Sequence, residues 1–221
     1  MKVCTDACIF GAFVAHHINR LEKPPNNILD IGTGTGLLSL MLAQKTNATI
    51  DAIEIDQAAF QQATDNFERS IWKNRLNIFN TDATQFHSAK KYDCIISNPP
   101  FFEGDLKSGD KKKDAAKHDT TFTLQQLLHI ADAHLDTDGF FAVLLPFHRV
   151  DFFIEIATAA NYYLNEQLLV QHTSDHPFFR GILIFSHTKT IGPCSKLAIK
   201  NADGNYTAQF IDLLKDYYLH L

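Results

Sequence analysis

The sequence predicts an α/β fold, a mostly parallel sheet with helices on both faces. From Asn27 to about His187, strand-like apolar runs alternate with stretches of helical spacing. A glycine-rich turn joins the first of these strands to the helix after it. The length, 221 residues with 45 % hydrophobic side chains, is enough to bury a full core in one domain.

Asp6 to Arg20 has helical apolar spacing and precedes the first strand, Asn27 to Ile31. Leu37 to Lys45 is the next helix, Ala48 to Ile55 the second strand and Gln57 to Trp72 the helix after it. Leu76 to Asn80 and Tyr92 to Ser97 are the third and fourth strands. A polar stretch without periodicity follows, and its length marks it as functional or mobile. Leu124 to Leu135 reads as a helix, Asp136-Thr-Asp-Gly139 as a turn, and Phe140 to Leu145 as a fully buried strand. Phe147 to Ala160 is helical, and Leu164 to Gln171 with Gly181 to His187 form a last strand pair. Asp203-Gly204 signals a hairpin, and Ala208 to Tyr218 an amphipathic helix. The expected organisation is a single domain over 1–221: an N-terminal helical segment (1–26), a core (27–187) and a C-terminal hairpin with helix (188–221).

Composition narrows the function. No apolar run is long enough to cross a bilayer or to act as a signal peptide, so the chain reads as soluble and cytoplasmic. The four cysteines form no C-x-x-C pair and read as reduced thiols, and none of the 11 histidines has ligand spacing, so no metal is expected. Nothing calls for an obligate protein partner. A formal net charge of −5 repels nucleic acid as a whole, so any nucleic-acid contact has to be a local patch.

Asp30-Ile-Gly32-Thr-Gly34-Thr-Gly36 lies between a strand and a helix, where the backbone must bend sharply and approach a ligand. Leu37 stands where the dinucleotide pattern G-x-G-x-x-G has its third glycine, which argues against NAD and FAD. Asp30 suits the ammonium end of a cationic amino-acid ligand. Glu54, about twenty residues on at a strand end, suits a ribose diol. Asp82, just past the third strand, is placed to meet an adenine amino group, with the Ala83 N–H directed at the ring. Such a glycine loop also occurs as a plain tight turn, and each carboxylate could be a solvated strand end. Their succession in order favours a nucleoside seat.

Asn98-Pro-Pro-Phe101 ends the fourth strand. Pro99 and Pro100 fix their own φ, donate no hydrogen bond, and hold Asn98 extended. The side-chain oxygen of Asn98 and the carbonyl of Pro99 can converge on one amino group, and Phe101 offers a flat face for a ring. Two acceptors on a conjugated amine orient it for attack without a strong base. The bland alternative is a proline-terminated strand with buried aromatics.

The glycine loop, the acidic strand end and N-P-P-F resemble the Rossmann-like, class I S-adenosylmethionine-dependent methyltransferases. That resemblance implies a seven-stranded sheet with the last strand antiparallel, and a cofactor site formed by Asp30, Gly32, Gly34, Gly36, Glu54, Asp82, Ala83 and Asn98. In such enzymes (N/D)-P-P-(Y/F/W) marks transfer to an amino group conjugated to a ring or carbonyl. Met1-Lys-Val-Cys-Thr-Asp6, the stretch from Asn98 to Asp119, "HPFFRGILIFS" and "DGNYTAQFIDLLKDYY" resemble the tRNA1(Val) (adenine-N6)-methyltransferases. This implies methylation of the adenosine next to the anticodon, catalytic roles for Asn98, Pro99, Pro100 and Phe101, and Lys2 and Thr5 helping to cover the cofactor.

Between 107 and 117, Lys107, Lys111, Lys112, Lys113 and Lys117 face two aspartates, a local excess of three positive charges. This loop either clamps RNA phosphates or is a solvated charge run. Arg180 is either a second RNA contact or a guanidinium covering Phe178 and Phe179. The same N-P-P-F chemistry also serves rRNA guanine-N2 and protein glutamine-N5 methyltransferases. A non-catalytic cofactor- or RNA-binding module is a further alternative, although a binder has no need of converging acceptors.

Overall fold

The computed structural model describes residues 4–99, 122–190 and 192–221. Eight strands form one sheet: β1 Asn27–Ile31, β2 Thr49–Glu54, β3 Leu76–Asn80, β4 Tyr92–Ser97, β5 Leu135–Pro146, β6 Tyr163–Gln171, β7 Phe178–Ser186 and β8 Cys194–Ala198. Their spatial order is β3-β2-β1-β4-β5-β7-β6-β8. All neighbouring pairs are parallel except those made by β7, which runs antiparallel to β5 and β6. The antiparallel strand is where the sequence places it; the eighth strand extends the seven expected.

The helices are α1 Thr5–Ile18, α2 Leu37–Lys45, α3 Gln57–Arg69, α4 Leu124–His134, α5 Val150–Ala159 and α6 Ala208–Leu214. Helices α1, α2, α3 and α6 cover one face, with Phe10, Leu42, Phe67 and Phe210 in its core. Helices α4 and α5 cover the other, with Leu127, Phe153 and Phe141. Two glycines sit close against side chains: a Cβ on Gly11 would press on the Met41 side chain of α2, and one on Gly181 on the Val150 methyl.

Several sequence expectations change: the strand expected from Gly181 already begins at Phe178, the helix expected from Ala208 to Tyr218 stops at Leu214, and three segments differ more. The helix after β2 stops at Arg69 because Ser70 is extended, its hydroxyl donating to the Phe67 carbonyl and accepting from the Trp72 N–H. Asp136 to Gly139 is no free turn: β5 already begins at Leu135 opposite Tyr92, and its pairing register shifts before Phe140 meets Cys94. A Cβ on Gly139 would come within 3.0 Å of the Tyr92 and Asp93 carbonyls, so glycine lets the strand pass over that irregularity. The C-terminal hairpin reduces to one bridge, Lys200 with Tyr206, around Gly204 at φ 82°, while Cys194–Ala198 joins the main sheet beside β6. With few buried positions, β8 carries a weak strand signal.

Helix α1 runs against the sheet from its C-terminal edge to its opposite edge. At its end Glu166 of β6, almost fully buried, accepts from Arg20 Nη2 at 2.6 and 2.7 Å and bonds His17 Nδ1 at 2.7 Å. Burial alone would raise the Glu166 pKa; the bonds from His17 and Arg20 outweigh it and hold the carboxylate below its usual range.

Candidate active site

The C-terminal ends of β1, β2 and β4 converge on the glycine loop. Parallel pairing sets Ile31 beside both Ile53 and Ser97, so the residues that follow these strands emerge as neighbours. Gly32 and Thr33 donate to the Ile53 carbonyl at 2.9 and 3.0 Å, which binds the loop to β2. Gly32, Gly34 and Gly36 have φ of 72°, 60° and 83°, a region that other residues rarely enter. A Cβ on Gly32 would meet nothing within 4 Å, so its outer side is open. Gly36 differs: a Cβ there would lie 2.5 Å from the ring of Phe67, so this glycine also packs the loop on α3.

Asp30 is fully buried. Its Oδ2 accepts from the hydroxyls of Thr33 and Ser39, both at 2.6 Å, while its Oδ1 has no partner. Burial pushes this carboxyl up to about 6; the Ser39 and Thr33 bonds pull against that rise, and the Glu54 charge adds to it. A buried oxygen left with no donor costs free energy unless a ligand meets it. Thr33 and Ser39 were not singled out from the sequence. The signal was present, since hydroxyls three and nine residues past an acidic strand residue can fold back on it.

Glu54 ends β2 and is 8 % exposed. Its Oε2 accepts from the Gly34 N–H at 2.7 Å and its Oε1 from the Asp56 N–H at 2.9 Å. The carboxylate is fixed by the loop it serves, and each oxygen keeps a second acceptor position. Ile55, next to it, exposes 67 % of its surface, an apolar side chain that sequence reasoning passed over. Asp82 opens the turn after β3, where its Oδ1 accepts from the Thr84 N–H and hydroxyl, both at 2.8 Å; Ala83 is half-buried beside it.

Ser97 anchors the end of β4 by donating its hydroxyl to the Ile31 carbonyl at 2.9 Å. The next residue, Asn98, has its Oδ1 buried and, among the described residues, without a partner; Pro99 after it is also buried. Two acceptors, Asp30 Oδ1 and Asn98 Oδ1, thus stand unsatisfied at the ends of adjacent strands. Pro100, Phe101, Lys2 and the lysines 107, 111, 112, 113 and 117 lie outside the described residues. Thr5 is the exposed first residue of α1. Arg180 donates its Nε to Asp6 Oδ2 at 2.8 Å and its guanidinium lies 5.4 Å over the Phe179 ring, joining the start of α1 to the start of β7. Among the described residues no group of His, Cys, Asp or Glu is arranged to hold a metal, and no helix is long and apolar enough to cross a membrane.

A sheet of this order with one antiparallel strand, a glycine loop after β1 and an acidic end on β2 is the class I methyltransferase architecture. Residues 12–149 match the methyltransferase small domain family. Among solved structures, a predicted O-methyltransferase from Agrobacterium tumefaciens superposes with TM-score 0.73 at 14 % identity, covering 97 % of this chain and 98 % of that one. The ribosomal protein L11 methylase of Lactobacillus delbrueckii subsp. bulgaricus gives 0.57 at 15 %, covering 81 % and 77 %. Two curated proteins named tRNA1(Val) (adenine(37)-N6)-methyltransferase align over nearly the whole chain. That of Dyadobacter fermentans is 40 % identical over 99 % of this chain and 91 % of its own length. That of Pectobacterium carotovorum is 37 % identical over 100 % and 88 %. The chain belongs to the tRNA1(Val) (adenine(37)-N6)-methyltransferase family.

Proposed function

We propose that this protein transfers the methyl group of S-adenosylmethionine to the 6-amino nitrogen of the adenosine at position 37 of tRNA1(Val). The observation that carries this reading is the unpartnered, buried Oδ1 of Asn98, one residue beyond the strand that lies against the glycine loop.

The residues present fit the cofactor. Asp30 Oδ1 is a buried acceptor in need of a donor, which the ammonium end of a bound amino acid provides. Glu54 has one acceptor position left on each oxygen for a ribose diol, Gly32 leaves open space above the loop, and Ile55 can cover one side of the base. Asp82, with its Oδ1 committed to Thr84, meets the adenine amino group through its other oxygen. When bound, S-adenosylmethionine supplies an electrophilic methyl on a sulfonium.

Everything else falls to the chain. Asn98 Oδ1 accepts one N–H of the target amine and the Pro99 carbonyl the other, which aims the nitrogen lone pair at the methyl and supports the positive charge that grows on nitrogen as the bond forms. Because these acceptors are preset by β4 and by proline, little reorganisation accompanies the reaction. Once methylated, the cationic nitrogen is acidic enough to release its proton to water. Phe101 stacks on the ring of a base taken out of its stack, and Pro100 fixes the turn. The lysines from 107 to 117 reach RNA phosphates, and Lys2 and Thr5 border the cofactor. The workplace is the cytoplasm, where tRNA is modified.

Incubating the protein with labelled cofactor and unmodified tRNA, followed by mass spectrometry of the nucleosides, tests this directly. N6-methyladenosine at position 37 is the expected product. Label found in rRNA guanosine or in a protein glutamine instead rejects the proposal, as does cofactor binding without any transfer.

A further inference from the structure

Beyond Asn98 the same edge of the sheet continues through β5, β7, β6 and β8, and its surface changes character. Phe147, directly after β5, is 40 % exposed, and its ring lies 5.4 Å from that of Phe178 at the start of β7. The ammonium of Lys196 on β8 lies 5.6 Å over the Phe178 ring. Beside them, in the turn between β6 and β7, the exposed His172 ring stacks parallel on Phe179 at 4.2 Å. Past the end of β8, Lys200 lies 5.5 Å over Tyr206.

Strand pairing brings these groups to one edge from both faces: Phe147, Phe178 and Lys196 on one side of the sheet, His172 with Phe179 and Lys200 with Tyr206 on the side of α1 and α6. Gln171 of β6 is paired with Phe178 on one side and Ala198 on the other, and Pro146 of β5 is paired with Arg180. From β4 to β8 there are four strand spacings, a reach of about 19 Å, or five to six nucleotides at ~3.4 Å each. Among the described residues, the lysines that pair with carboxylates are Lys45, Lys90 and Lys215, all elsewhere. Among the described residues Lys196 and Lys200 have a ring beneath them and no carboxylate within 4.0 Å. An ammonium over an aromatic face keeps its charge available to an anion, and an exposed ring beside it offers a stacking face. Such a pairing of flat faces and unneutralised cations suits single-stranded nucleic acid.

We propose that this edge is the docking surface for the RNA that carries the target base: Phe147, Phe178 and His172 take unpaired bases flanking it, and Lys196 and Lys200 take phosphates. The inference deepens the methyltransferase reading and rests on it for the direction in which the RNA leaves Asn98. These groups lie on β7 and β8 and in the segments that follow β5, β6 and β8, apart from the cofactor seat.

The test uses the full chain, the double variant Lys196→Ala/Lys200→Ala and the variant Phe147→Ala, with tRNA binding measured by fluorescence anisotropy across a salt series. The expected results for the double variant are about tenfold weaker tRNA binding and a log–log salt slope lower by about 1.5 to 2, from two lost phosphate contacts. KM for tRNA should rise with kcat at saturating tRNA within about twofold, and cofactor affinity by calorimetry should not move. Phe147→Ala should weaken binding several-fold and leave the salt slope alone, since a stacking contact releases no counterion. Unchanged affinity and slope in the double variant overturn the proposal, and so does a wild type that binds no RNA. A wild type that binds tRNA through these lysines yet never methylates it upholds the docking surface and removes the tRNA-methylation reading instead.

Discussion

The two halves of the sheet's C-terminal edge are built on opposite principles. On the β1–β2–β4 side the functional groups are carboxylates and an amide, mostly buried: Asp30 and Glu54 are held by short bonds from hydroxyls and backbone N–H groups, and Asn98 follows a strand end anchored by Ser97. On the β5–β8 side they are rings, exposed or half-buried, and ammonium groups without carboxylate partners among the described residues. The first arrangement suits a small cationic ligand that must be held in one orientation, because the cost of desolvating the protein's acceptors is already met by folding. The second suits a long polyanion, where many weak and salt-sensitive contacts add. A chain with net charge −5 can meet both needs only by keeping the two sets of charges apart.

Three perturbations of the first half separate it from the second. Asn98→Ala should have the largest effect, lowering methyl transfer by about 10² to 10³-fold, in line with removal of one preorganised partner of the reacting centre, while cofactor and tRNA affinities change by less than about twofold. Single-turnover assays beside calorimetry check this. Glu54→Ala should weaken cofactor binding by about 10 to 100-fold, the worth of one or two charge-assisted bonds, and leave tRNA binding and its salt slope as they were. The smallest effect is a pH dependence. The Asp30 carboxyl, raised to about 6 from an unfolded value near 3.9, stays protonated in the folded chain where the unfolded chain has lost its proton, so ligand-free stability falls as pH rises between those values and the cost is complete above 6. A cationic ligand favours the carboxylate, so cofactor affinity should increase about fourfold from pH 5.5 to 7.5 and then level off. Asp30→Asn should flatten that profile, while the salt dependence of tRNA binding stays with the lysines.

The parallel core was legible because its strands are short, apolar and punctuated: β1, β3 and β4 begin and end where the residue pattern puts them. What escaped were features that depend on pairing rather than on pattern. The irregularity at Gly139 reads locally as a turn, and only the Tyr92 and Asp93 carbonyls beside it show why the strand passes through. Strand β8 buries one residue in five and exists because β6 offers it an edge. In the site, Asp30, Glu54 and Asn98 could be named from strand-end position alone. Thr33 and Ser39, which hold Asp30, carried only the faint signal of hydroxyls spaced to fold back on it, and Ser97, which holds the end of β4, carried none. Arg180 illustrates the limit of composition: a cation beside two aromatics fits RNA or a ring, and its bond to the Asp6 carboxylate, 174 residues away in sequence, carries no local signal.

The most direct measurement of Asn98's role is a crystal structure of the chain with S-adenosylhomocysteine and an adenosine-containing anticodon-loop oligonucleotide. The account predicts the 6-amino nitrogen about 2.7 to 3.2 Å from Asn98 Oδ1, facing the sulfur. An amine placed elsewhere, or an Asn98 side chain turned to a donor of the protein itself, would contradict it.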